Sequence, residues 1–97
     1  MGKLDEAAIR TAMEGLKGWT LDATTIRRQF TLASFPDAIA FVTRLAFDAE
    51  GMDHHPDLQI SYKKVTVSWS THDAGGLTAK DFTGAAQSDM IAAKFAR

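Results

Sequence analysis

The chain has 97 residues, 45% of them hydrophobic and 24% charged, with 11 basic and 12 acidic side chains that give a formal net charge of −1. The charges are interspersed, so no stretch is basic enough to follow a phosphate backbone, which argues against direct nucleic-acid binding. The absence of cysteine excludes disulfides, a thiol nucleophile and cysteine-based zinc sites.

No apolar run approaches the roughly 18 residues of a membrane span, and the start of the chain lacks a signal-peptide pattern. The expectation is one domain over residues 1–97, soluble and cytoplasmic. A domain of this size buries only about 60–65% of its unfolded surface, so self-association would add useful burial.

Leu4, Ala8, Ala12, Met13 and Leu16 recur at helical spacing and predict a first helix that Gly18 stops. Trp19-Thr20-Leu21 reads as a short strand, followed by a turn through Asp22-Ala23-Thr24. Ile26, Arg28, Phe30 and Leu32 then alternate with polar residues, the period of a strand, with Arg28 interrupting the apolar face. Ser34 reads as the N-cap of a second helix, and Asp37 three residues on suits its positive end. Phe35, Ile39, Val42, Leu45, Ala46 and Ala49 are its expected buried stripe, and the helix should fade near Gly51.

Leu58, Ile60 and Tyr62 alternate, as do Val65, Val67 and Trp69, with Lys63-Lys64 between the runs as a tight hairpin turn. That turn would set Leu58 opposite Trp69 and His55 opposite His72, with directly opposed Cβ atoms about 4.5–5.5 Å apart. After a loop at Asp73-Ala74-Gly75-Gly76, Thr78 caps a third helix, whose apolar face is read as Phe82, Ala85, Ala86, Met90 and Ala93. The order α-β-β-α-β-β-α predicts an α+β fold of two layers, a four-stranded antiparallel sheet with three helices on one face.

The chemistry-bearing residues concentrate at one end of the hairpin. His54 and His55 sit in Glu50-Gly51-Met52-Asp53-His54-His55-Pro56, and His72 follows in Ser70-Thr71-His72-Asp73. Histidine both donates and accepts protons near neutrality, so several imidazoles around one pocket suit a reaction that removes one proton and delivers another. The bland alternatives stand beside this one. His54-His55 also fits an ordinary loop, Glu50 a solvated helix terminus, and Trp69 and Tyr62 the core. Asp81 completes a Thr78-x-x-Asp81 capping box, and the residue pattern by itself favours that role. The adjacent histidines lack the i, i+4 spacing of a metal-binding helix, so no metal is expected.

The full spacing resembles the pterin-4a-carbinolamine dehydratase family. The pattern is Glu50, three residues, His54-His55-Pro56, five residues, Tyr62, nine residues, His72, eight residues, Asp81. Gly18-Trp19, Phe30, Phe35, Thr43-Arg44, Ser70-Thr71-His72 and Gly76-Leu77-Thr78 extend the resemblance over nearly the whole chain. It implies the same α+β fold and a homodimer or homotetramer in which dimers join through edge strands. It also implies conversion of 4a-hydroxytetrahydropterin to quinonoid dihydropterin plus water, which recycles the cofactor of aromatic amino acid hydroxylases. The pterin would be the substrate, with no resident cofactor.

By the same resemblance His54 and His72 would transfer protons, and His55 would bind the pterin and orient its hydroxyl. Glu50 would be a charge partner for a histidine, and Asp81 would hold the neighbouring loop or an imidazole. Pro56 and the Thr71-His72-Asp73-Ala74 edge would contact the ring, the edge through backbone hydrogen bonds. Relatives that have lost the histidines act as assembly factors, and animal relatives double as dimerisation cofactors of a homeodomain transcription factor. A regulatory partner role and a molybdopterin-related role are therefore the competing readings.

Overall fold

A computed structural model describes residues 2–95. Three helices, α1 (Glu6–Glu14), α2 (Phe35–Met52) and α3 (Ala79–Lys94), accompany four strands, β1 (Thr20–Asp22), β2 (Thr25–Thr31), β3 (Asp57–Ser61) and β4 (Lys64–Trp69). The strands form one antiparallel sheet in the order β1-β2-β4-β3. The expected fold class and element order are therefore those observed. A single 3-10 turn, His72–Ala74, lies between β4 and α3.

Alternation sorts the sheet's two faces. Ile26, Phe30, Val65, Val67 and Trp69 point into the core, whereas Arg27, Thr66, Ser68 and Gln59 line a shallow groove on the opposite face. α2 and α3 pack on the apolar face and on each other, with the Phe41 ring 5.1 Å from Phe30. α1 is anchored by Asp5, whose Oδ1 accepts the Ala8 N–H at 2.8 Å, and its apolar side meets α3 around Phe82. The helix stops at Glu14 with Gly15 as its cap, short of the expected Gly18. Gly18 instead adopts φ +89° beside the Arg28 side chain, which reaches across it to Asp89 at 2.8 Å.

The hairpin register differs from the sequence expectation by two residues. Leu58 faces Val67, Ile60 faces Val65 and Ser61 faces Lys64, so the turn residues are Tyr62 and Lys63. A slip of two leaves every side chain on its original face, so the alternation cannot distinguish the two registers. The neighbouring strand does: Lys64 pairs with Thr31, and the Lys63 carbonyl accepts the Leu32 N–H at 2.8 Å. In consequence Tyr62 sits at φ +54°, with its side chain exposed. A non-glycine residue pays about 1–2 kcal/mol there, and glycine returns about 0.5–1 kcal/mol of that to chain entropy. Tyr62→Gly is expected to raise unfolding stability by roughly 0.5–1 kcal/mol, read as a higher urea midpoint at unchanged slope. A lower midpoint would contradict this account of the turn.

Two helix faces differ from expectation in part, since Leu45, Ala49 and Ala85 are buried as expected. In α2 the buried residues are Ala38, Phe41, Leu45 and Ala49, while Phe35, Ile39 and Phe47 are exposed. This helix is apolar over much of its circumference, so periodicity supports more than one stripe. In α3 the buried residues are Asp81, Gly84, Ala85, Ser88 and Ile91, and Met90 is exposed. Polar and small side chains therefore occupy the face that packs inward.

Candidate active site

Local backbone closure, rather than the sheet ladder, brings the histidines together. α2 ends at Met52, and Asp53 takes the left-handed conformation at φ +54°. The Asp53 N–H bonds the Glu50 carbonyl and the His54 N–H bonds the Ala49 carbonyl, both at 3.1 Å. This Schellman-type closure turns the chain sharply and delivers His54 to the sheet end. The β3–β4 ladder begins at Asp57–Ser68, so the expected direct pairing of His55 with His72 does not occur. His72 enters through the 3-10 turn, which closes by Ala74 N–H to Thr71 O at 3.2 Å and Gly75 N–H to His72 O at 3.0 Å.

The result is a cavity of about 340 Å³ lined by Asp53, His54, His55, Ser70, Thr71, His72 and Asp73. A second cavity of about 290 Å³ adjoins it, sharing Asp53, His54, Thr71 and Asp73 and adding Ala74, Thr78 and Lys80. The three imidazoles thus border one concavity. Of the other residues singled out in the sequence, Thr71 and Asp73 line both spaces and Ala74 lines the second. Glu50, Pro56 and Asp81 line neither.

The three rings sit in different environments. His54 is nearly buried, its Nε2 2.6 Å from Oδ1 of Asp81, a carboxylate with no solvent exposure. Asp81 Oδ2 accepts the Thr71 hydroxyl at 2.7 Å and the Thr78 N–H at 3.0 Å. The Thr78 hydroxyl stands 3.0 Å from Thr71 Oγ1. Because Thr71 gives its only hydroxyl proton to Asp81, Thr78 donates to Thr71. This directional chain makes Asp81 an acceptor throughout, so the His54 ring carries a proton on Nε2. In the neutral ring Nδ1 is then the nitrogen with a free lone pair.

Asp81 therefore fills both roles raised by the sequence. One oxygen completes the capping box and the other orients an imidazole. His55, in contrast, is exposed and meets the more exposed Glu50 at 2.8 Å, a pair that solvent screens heavily. His72 is exposed, with Ser70 Oγ at 3.4 Å from its Nε2.

Sequence reasoning named Trp69 as core and Thr71 as a ring contact, but missed what each does for His54. Trp69 stacks on His54, ring centroids 5.5 Å apart and planes inclined by 21°. Thr71 links the capping box to the imidazole. Trp69 stands at the end of β4, and the left-handed turn at Asp53 carries His54 over it. Among the described residues, no group of three or more His, Cys, Asp or Glu side chains is arranged to hold a metal ion, and no helix is long and apolar enough to cross a membrane.

Comparison with known proteins identifies the family. The family model described as pterin 4 alpha carbinolamine dehydratase matches residues 2–91. A relative from Roseiflexus castenholzii is 56% identical over 88 residues, covering 91% of this chain and 95% of its own, and bears the provisional name pterin-4-alpha-carbinolamine dehydratase. A crystal structure from Brucella melitensis, titled transcriptional coactivator/pterin dehydratase, superposes with a TM-score of 0.89 at 33% identity, covering 94% of this chain and 99% of its own. A pterin dehydratase-like RuBisCO assembly factor of the alpha-carboxysome is similar in fold, with a TM-score of 0.63 at 20% identity, covering 76% of this chain and 86% of its own.

Proposed function

Because the chain belongs to the pterin 4 alpha carbinolamine dehydratase family, we propose that it removes water from a 4a-hydroxytetrahydropterin by histidine acid–base chemistry, giving the quinonoid dihydropterin. The observation that carries this reading is the cavity bordered by three imidazoles, one of them held by a buried carboxylate. The reaction needs no change of oxidation state. One group takes the proton from N5, another delivers a proton to the 4a-hydroxyl, the C4a–O bond breaks and a C4a=N5 double bond forms. Positioned proton donors and acceptors supply about 10²–10⁴-fold each in such steps.

His54 suits the base, because Asp81 fixes its Nε2 proton and stabilises the imidazolium that forms when Nδ1 accepts a second. His72, across the same cavity and free of a carboxylate partner, is its complement as the acid. His55, with Glu50, orients the hydroxyl. Ser70, Thr71, Asp73 and Ala74 surround the ring's polar edge. The pterin is the substrate, and no resident cofactor is invoked.

On this reading the protein acts in the cytoplasm beside an aromatic amino acid hydroxylase, recycling its tetrahydropterin. A homodimer or homotetramer is supported by the exposed Phe35, Ile39 and Phe47 on α2 and by Ile60 on the edge strand β3. The same exposed α2 side chains favour a second reading, a regulatory protein partner. A partner complex that withstands substitution of the histidines would separate that role from catalysis. A molybdopterin-related role is a third, to be told apart by binding of other pterins.

The direct test follows 4a-hydroxytetrahydropterin, generated by a hydroxylase, in stopped flow. The wild-type protein is expected to speed its loss in proportion to enzyme concentration. A rate equal to the spontaneous one at micromolar protein would overturn the proposal.

A further inference from the structure

The inward face of α3 poses a question that burial alone does not answer. Asp81, Gly84 and Ser88 recur at helical spacing and are all buried, while Met90 and Ala86 of the same helix stay exposed. Ala85 and Ile91 share this inward face, so its polar and glycine positions are not explained by apolar burial. The buried stripe instead converges on His54 by two routes. The first is Asp81, which fixes the ring's rotation through Nε2. The second runs through Trp69, whose indole lies against the imidazole and fixes its plane.

The indole is itself held from α3. Its Nε1 donates to Ser88 Oγ at 3.2 Å, and Ser88 donates in turn to the Gly84 carbonyl at 2.8 Å. Gly84 provides the space. A Cβ there would stand 2.6 Å from Cε2 and 2.7 Å from Cδ2 and Cζ2 of the indole, closer than real contacts allow. Trp69, Ser88 and Asp81 are completely buried.

We propose that Ser88 and Gly84, acting through Trp69, are positioning residues that set the plane of the His54 imidazole and so aim its Nδ1 into the cavity. The inference rests on His54 being the proton-transfer residue of the dehydration. Neither Ser88 nor Gly84 touches the substrate. Their influence is geometric: α3 carries both restraints on one ring, so the plane and rotation of His54 move together with a single rigid helix. A mis-set ring costs rate rather than affinity, because binding in the open cavity tolerates a tilt that proton transfer does not.

The test is Ser88→Ala, assayed well below its unfolding temperature and confirmed folded by circular dichroism. Its expected effect is a fall of about tenfold in kcat with KM changed less than twofold. The accompanying signature is in the His54 ring-proton resonances, which the stacked indole is expected to shift upfield in the wild type and which should move downfield in the variant. A lower melting temperature alone is what a purely structural serine would give.

Trp69→Phe keeps an aromatic surface and dispenses with the N–H, so it is expected to retain more activity than Trp69→Leu. Gly84→Ala should show the largest shift in the His54 resonances if it folds, and Ser88→Ala decides the matter if it does not. A folded Ser88→Ala variant with wild-type kcat, or with unmoved His54 resonances, overturns the proposal. Absence of wild-type dehydratase activity overturns the catalytic reading instead, and the resonances still report whether α3 sets the ring.

Discussion

Replacing Asp81 by asparagine is expected to lower dehydratase activity by about 10²–10⁴-fold while leaving most of the fold intact. The reasoning follows the proton chain. In the native site one oxygen accepts the Thr78 N–H and the Thr71 hydroxyl, and the other accepts from His54 Nε2. Asparagine keeps the cap by turning its carbonyl toward Thr78 and Thr71, which points its NH₂ at His54. The imidazole must then accept at Nε2 and carry its proton on Nδ1, so the nitrogen proposed as the base becomes a donor. A base is lost without loss of a contact.

Asp81→Ala differs, because it leaves a backbone N–H, a hydroxyl and a ring N–H without an acceptor in a site closed to solvent. At about 1–3 kcal/mol for each, with partial relaxation, the expected cost is roughly 3–5 kcal/mol. Urea unfolding of both variants beside their kcat separates the roles. If Asp81 served only as a helix cap, asparagine would preserve the activity.

That dual role shows how far the residues alone lead. The capping box was legible because it is a local pattern, Thr78 and Asp81 three apart before a helix. The imidazole contact spans 27 positions and needs the fold. The same contrast holds for the hairpin. Alternation in Leu58–Ile60 and Val65–Trp69 assigned both strands and their faces, yet it is blind to a slip of two. The register was decided by Thr31 at the end of β2 and the adjoining Leu32, which lie more than thirty residues away.

The helix faces were legible only in part, at Leu45, Ala49 and Ala85, for related reasons. In α2, Phe35 and Ile39 are as apolar as Phe41 and Leu45, so composition cannot rank the stripes. In α3, hydrophobicity pointed to Met90 and Ala86, whereas Asp81, Gly84 and Ser88 face inward. Sites are where a sequence departs from the rule of apolar inside, and here the departure marks the face that supports His54. The convergence of the three histidines was expected from a pairing of His55 with His72 that the structure lacks. It arises from the left-handed turn at Asp53 and the 3-10 turn at His72.

The second large effect concerns the proton-transfer pair itself. His54→Gln and His72→Ala are each expected to lower kcat by about 10²–10⁴-fold, and the double variant by little more than the worse single one. Glutamine is the informative replacement at position 54, because its amide N–H still satisfies the buried Asp81, so lost activity is not lost structure. At position 72 alanine suffices, since that ring is exposed and holds no buried partner. Non-additivity follows from the chemistry. Removing the N5 proton and protonating the departing hydroxyl belong to one elimination, and either transfer without the other leaves the C4a–O bond intact. His55→Ala should cost less, because its ring and Glu50 are both largely in solvent. Single-turnover rates for the four variants, each checked for native circular dichroism, supply the comparison. Strictly additive losses at positions 54 and 72, or a His55 effect exceeding both, would mean that the nearly buried dyad of His54 and Asp81 is not where the proton leaves the pterin.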